Sequence, residues 1–254
     1  MKKIFKRILV LLPVALVFGF AYYWYANDRD TAVPDEDALA ALAANPALSI
    51  QFDDWLLIQP AGSTPDIGVI LYPGAYCDIR GYAPVLTEIA AAGYKVVGVK
   101  MPFNFSIFGP NKADDVIAAF PDIKRWIIVG HSMGGAMAGR YAFLNEDKLD
   151  GVIFWDSYPP ESNSLADSKL PLTHIHRARL NGEMPNKFQV MQHVYPKDAV
   201  WVPIPGGIHM YFGSFVGGPY EEEWEPEISR EAQHEIVVAA TLEALKRMTG
   251  DEAS

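Results

Sequence analysis

Hydrophobic and polar positions along this chain alternate between short and long blocks. The short blocks are mainly apolar and rich in β-branched residues: Ile67–Tyr72, Tyr94–Lys100, Trp126–Val129, Gly151–Trp155, Leu172–Arg177 and Val200–Ile204. Such runs read as strands buried on both faces. Between them lie segments of helical character. These are Tyr82–Ala92 ended by Gly93, Lys112–Phe120 stopped by Pro121, an Ala/Gly/Met-rich stretch Ala136–Leu144, a short Lys187–Val194 and a long amphipathic Ile228–Met248. Upstream, Ser49–Phe52 and Trp55–Gln59 read as β structure turned by Asp53-Asp54. Asp35–Ala44 reads as a short helix in a connector over residues 27–47. The alternation predicts an α/β fold over residues 48–250, a mainly parallel sheet covered by helices on both faces. Only a short loop separates Asp156 from Leu172, so no separate cap domain fits. In such a sheet a site lies outside the carboxyl ends of the strands.

The N-terminus breaks this pattern. Lys2, Lys3, Lys6 and Arg7 precede an almost uncharged apolar run from Ile8 to about Ala26, which ends in Tyr22-Tyr23-Trp24-Tyr25. A run of about 20 apolar residues is long enough to cross a bilayer, and aromatic clusters suit its interface. The alternative is a cleaved signal peptide that releases the rest of the chain. The bulky aromatics leave no convincing small-x-small cleavage site, which favours an uncleaved anchor over residues 1–26. The basic flank would keep the N-terminus cytoplasmic and the remainder outside.

Composition narrows the partners. The formal net charge of −10 leaves no basic face for nucleic acid. The stretch Glu221–Glu227 reads as a solvated acidic loop. A single cysteine, Cys77, excludes an internal disulfide and a cysteine-rich metal site. His174 and His176 share one face of a strand, but no third ligand accompanies them, so no metal and no cofactor are called for.

The candidate chemistry centres on Gly130-His131-Ser132-Met133-Gly134, a G-x-S-x-G pattern between a predicted strand and a predicted helix. That context exposes a nucleophilic serine on a sharp turn, where glycines relieve crowding. His209 follows the last predicted strand in Pro205-Gly206-Gly207-Ile208-His209 and is the candidate base. The amide of Met133 and that of Ala75, in the loop Tyr72-Pro73-Gly74-Ala75-Tyr76, are candidate oxyanion donors. An apolar pocket wall is available from Tyr76, Phe103, Phe105, Phe108, Tyr158, Met210 and Phe212.

These stretches resemble a family. Leu71-Tyr72-Pro73-Gly74-Ala75, Tyr94-Lys95-Val96-Val97, Met101-Pro102-Phe103-Asn104, Phe108-Gly109-Pro110, Gly130–Gly135 and Gly206-Gly207-Ile208-His209 together look like the small bacterial α/β hydrolases labelled "alpha/beta hydrolase fold-5". The resemblance spans residues 48–248. It implies the α/β-hydrolase fold and a membrane-anchored serine hydrolase acting on small acyl esters. Ser132 would be the nucleophile, His209 the base, and the Ala75 and Met133 amides the oxyanion hole. The family's usual acid position reads Leu180 here, in Arg177-Ala178-Arg179-Leu180-Asn181-Gly182. Three readings follow: Asp156, directly after the Gly151–Trp155 strand, supplies the acid; Glu183 does; or none does. The last motivates a rival, an impaired hydrolase fold used for binding. Acyl transfer to an acceptor other than water is a further alternative.

Overall fold

The computed structural model describes residues 14, 17–20, 22, 31–43 and 45–250. The apolar N-terminal run lies largely outside them. Among the described residues no helix is long and apolar enough to cross a membrane.

Among the described residues, ten strands form two sheets. The large sheet has eight: β2 (Leu48–Phe52), β3 (Trp55–Pro60), β4 (Ile67–Tyr72), β5 (Lys95–Val99), β6 (Arg125–His131), β7 (Gly151–Trp155), β8 (Leu172–Ala178) and β9 (Val200–Pro205). Their order is β2-β3-β5-β4-β6-β7-β8-β9. The pairs β2–β3 and β3–β5 are antiparallel, and every other pair is parallel. Strands β4, β7 and β8 are buried along their whole length, whereas the edge strands are partly open. Pro203 and Pro205 sit in β9, the edge, where a missing N–H leaves no ladder bond unmade.

Strand alternation divides the core into two. Val69, Leu71, Ile127, Val129, Ile153 and Trp155 face α2 (Ala83–Ala91) and α6 (Arg230–Thr249). Ile70, Tyr72, Ile128, Val152 and Phe154 face α3 (Lys112–Ala119) and α4 (Met133–Leu144). Two helices are shorter, α1 (Glu36–Ala41) and α5 (Asn186–Val190). Inside α6, Gln233, Val237, Ala240, Thr241, Ala244 and Leu245 are buried, which is the stripe a 3.6-residue period produces.

Most element boundaries differ from the sequence reading by a residue or two. Helix α4 starts at Met133, three residues early, because the turn feeds straight into it. The connector is tied down: β1 (Val33–Pro34) pairs with β10 (Phe215–Val216), and Ala32 bridges Cys77. Two-residue strands carry no periodicity for a sequence to display.

Every non-glycine residue with positive φ among the described residues lies just past the carboxyl end of a parallel strand. Tyr76 follows β4, Phe103 and Asn104 follow β5, Ser132 follows β6, and Asp156 follows β7. Such conformations cost about 1–3 kcal/mol each and persist only where their surroundings enforce them. At β6 the enforcement is steric. A Cβ on Gly134 would stand 2.2 Å from the Tyr72 carbonyl oxygen and 2.3 Å from that of Pro73. Neither backbone group can yield. Gly134→Ala is therefore expected to lower stability in urea unfolding by about 1–3 kcal/mol; an unchanged midpoint would show that the contact relaxes freely.

Candidate active site

The β6–α4 turn holds Ser132 at φ 53° and ψ −125°. Its amide donates to the Trp155 carbonyl at 3.1 Å, and its carbonyl accepts from Gly135 and Ala136. The Ser157 hydroxyl also donates to that carbonyl. With the backbone fixed on both sides, Ser132 Oγ points to His209 Nε2 at 2.9 Å. His209 Nδ1 faces Asp156 Oδ2 at 2.6 Å. A carboxylate only accepts, so Nδ1 carries the hydrogen and Nε2 is left to accept from the serine.

The loop carrying His209 is held from below by Gln233, which is fully buried. Its amide accepts from Ile208 N at 2.9 Å and donates to Ile208 O at 2.8 Å, as a neighbouring strand would. A Cβ on Gly207 would lie 2.7 Å from that side-chain oxygen, so the approach requires glycine. From above, Glu222 accepts from the His209 and Met210 amides at 2.9 and 2.7 Å. Trp224 Nε1 donates to the Gly207 carbonyl at 2.9 Å. The acidic stretch Glu221–Glu227 is thus not simply a solvated loop. It straps the histidine loop, with Glu222 and Trp224 turned inward.

Asp156 has no side-chain exposure and three sets of donors. Oδ1 accepts from the Arg177 amide at 3.0 Å. Oδ2 accepts from both His209 and Arg177 Nη1. Arg177 Nη2 turns outward to Glu223 at 3.1 Å. Arg177 Nη1 also lies 3.4 Å from His209 Nδ1, donor against donor. His209 Nδ1 thus faces an attracting carboxylate and a repelling guanidinium at once. Burial of the ring, then the Arg177 and Lys187 charges, hold His209 well below the ordinary histidine range. Lys187 is itself pushed down to about 8, first by burial and then by Arg177.

On the other side, the loop after β4 spends its amides selectively. Gly74 N donates to the Tyr82 hydroxyl at 2.9 Å, and Tyr76 N donates to Asn104 O at 2.6 Å. The Ala75 amide has no partner among the described residues. The Met133 amide opens α4, where no preceding helical carbonyl is available. The close approach of Gly134 to Tyr72 and Pro73 brings these two segments together.

The site edge belongs to a known fold. A model of the family described as "Alpha/beta hydrolase family" matches residues 68–235. The chain belongs to that family. No curated protein matches it in sequence. Among solved structures, this α/β hydrolase is similar to a ferulic acid esterase from Streptomyces cinnamoneus, at 18% identity and a TM-score of 0.55, over 76% of this chain and 70% of that one. Est1E from Butyrivibrio proteoclasticus gives 13% and 0.53 over 78% and 99%. Naproxen esterase from Bacillus subtilis gives 11% and 0.51 over 74% and 90%. At these identities the likeness is one of fold.

Of the residues singled out in the sequence, Ser132, His209 and Asp156 meet, with Ala75 and Met133 beside them. Glu183 does not join them. It sits in the exposed turn after β8, where its amide bonds the Asn181 side chain at 2.9 Å and its carbonyl accepts from Arg179. Leu180 is exposed as well, so the usual acid position is turned to solvent. Phe212, named for the pocket wall, is fully buried and stacked on His131 at 5.4 Å, so it supports the histidine loop instead. His174 and His176 pack among Phe188, Tyr195 and Trp201, and no group of three potential metal ligands occurs among the described residues. Sequence reasoning missed Arg177, Glu222 and Glu223. An arginine near the end of a strand read as buried was the available signal for the first.

A histidine base acts in its neutral form, so a lowered pKa preserves activity as pH falls. The acid limb of kcat/KM should lie below about 6.5. Arg177→Met removes the cation beside the ring and should move that limb up by roughly one pH unit, with Arg177→Lys moving it less. Identical limbs in all three proteins would remove Arg177 from the titration.

Proposed function

We propose that this α/β hydrolase is a serine hydrolase of carboxylic esters, held to a membrane by residues 1–26. The observation that carries the catalytic reading is the continuous line Ser132 Oγ, His209 Nε2 at 2.9 Å, then His209 Nδ1 and Asp156 Oδ2 at 2.6 Å. In this reading Ser132 Oγ attacks the ester carbonyl while His209 takes the hydroxyl proton. The oxyanion draws on the Ala75 and Met133 amides. His209 then returns the proton to the leaving alcohol, and a water activated by the same nitrogen releases the acyl group. Asp156 holds the ring in its productive tautomer and supports the imidazolium. The similar structures are those of esterases, in agreement with an ester substrate. The rival binding-protein reading rested on Leu180 and loses its motive once Asp156 stands at His209. Membrane attachment rests on the basic flank and apolar run alone.

Ser132→Ala should abolish hydrolysis of p-nitrophenyl acetate and labelling by a fluorophosphonate. Full labelling of the variant would sink the nucleophile assignment. Asp156→Asn should cut kcat by about 100-fold or more with an unchanged circular dichroism spectrum. Glu183→Gln should stay within about twofold of wild type, as expected of an exposed side chain. The opposite ranking would move the acid role to Glu183.

A further inference from the structure

The segment Met101–Pro110 carries no charged residue, in a chain that is 20% charged. It holds Phe103, Phe105, Ile107 and Phe108. Ile107 is 50% exposed and Phe108 54%. Their rings form one patch, with Phe105–Phe108 and Phe103–Phe108 centroids both 5.7 Å apart. Exposed apolar clusters of this kind mark an interaction surface.

The patch is fixed to the candidate site. Asn104 O accepts the Tyr76 amide at 2.6 Å, and the buried Ser106 hydroxyl donates to Pro73 O at 2.6 Å. Both partners flank Ala75. Helix α4, which begins at the residue after Ser132, packs on Ser106–Phe108.

The N-terminal tether reaches the same place. Ala32 N donates to Tyr76 O at 2.7 Å, and Ala32 O accepts from Asp78 N at 3.0 Å. Asn104 Nδ2 donates to the Thr31 hydroxyl at 3.3 Å. Ala26, the end of the apolar run, is six positions before Ala32. Fully extended, that chain keeps the two within about 20 Å. A bilayer crossed by the run must therefore pass close to the loop of Ala75 and to the aromatic patch. The ring of Phe20, from the run itself, lies 6.1 Å from that of Phe103.

We propose that Met101–Pro110 rests on the bilayer that anchors the chain, and that Ser132 takes its acyl esters from that bilayer. Aromatic rings and an isoleucine at headgroup depth suit such contact. The proposal rests on the anchored ester hydrolase reading above, and it specifies the substrate as an ester resident in lipid.

The test uses the full chain in phosphatidylcholine vesicles. Ile107→Cys is labelled with nitrobenzoxadiazole; Cys77 is buried and its thiol is pushed up to about 11, so it stays unlabelled. The label should be quenched by lipid carrying a doxyl group near the headgroup and shielded from aqueous dithionite. Rapid reduction by dithionite without lipid quenching overturns the proposal. Self-quenching that rises with protein density and ignores doxyl lipid also overturns it, in favour of a second copy on the patch. Ile107→Asp should slow hydrolysis of a long-chain p-nitrophenyl ester in the vesicles by roughly fivefold or more and leave soluble p-nitrophenyl acetate within about twofold. Equal loss on both substrates overturns the proposal and makes the segment part of the site. If the chain fails to float with vesicles, the anchor reading falls and the proposal with it. If the wild type cleaves neither ester, the hydrolase reading falls, while lipid quenching still decides whether the patch docks.

Discussion

A close backbone approach governs this molecule. Gly134 lies against the Tyr72 and Pro73 carbonyls, and a Cβ on Gly130 would stand 2.4 Å from Gly135 Cα. With no room for side chains on either side, the chain turns sharply and Ser132 is forced to φ 53°. Strain of about 1–3 kcal/mol is small beside the burial of two cores on either face of an eight-stranded sheet. The rigid sheet therefore enforces the turn. The same holds for Tyr76, Phe103, Asn104 and Asp156, all with positive φ beyond the ends of β4, β5 and β7. Local strain is collected along one edge, where it aims groups that a relaxed backbone would direct elsewhere.

The second constraint is charge. A carboxylate with no exposure is tolerable only if its lone pairs are used. Asp156 meets this with His209, the Arg177 guanidinium and the Arg177 amide. Arg177 is itself nearly buried and needs a second acceptor, which Glu223 supplies. When His209 carries its transient proton, these four side chains sum to zero: two carboxylates against guanidinium and imidazolium. The arginine weakens the base, and Glu223 offsets part of that effect. Such a balance favours a histidine that stays neutral until the reaction charges it.

How far the sequence revealed this depends on the range of the interaction. Buried strands and their helices were legible because period and breakers are local: Ile67–Tyr72 and Gly151–Trp155 match to the residue. Asp156 was legible as a candidate because it directly follows a strand. Its placement at His209 in preference to Glu183 was not, since that depends on where β8 ends and how the 179–183 turn faces solvent. The pairing of Arg177 with Glu223 spans strand and distant loop, and no periodicity encodes it. The acidic run 221–227 misled for the same reason: composition suggested solvent, while Glu222 bridges the His209 and Met210 amides of the histidine loop.

His131 joins the two sides of the site. It is fully buried, and burial holds its ring neutral. Nε2 lies 3.1 Å from the His209 carbonyl, which only accepts, so Nε2 carries the hydrogen. Nδ1 must then accept from the Tyr82 hydroxyl at 2.8 Å. That hydroxyl oxygen in turn accepts the Gly74 amide at 2.9 Å. The chain of bonds runs from the loop bearing Ala75, through Tyr82 and His131, to the backbone of His209. Each partner fixes the polarity of the next, so the network has one arrangement. The Tyr82 hydroxyl thus holds the Gly74 amide, while the neighbouring Ala75 amide has no partner among the described residues. The loop of the candidate oxyanion donor and that of the candidate base are thus joined through one buried histidine, which the G-x-S-x-G pattern places next to the serine.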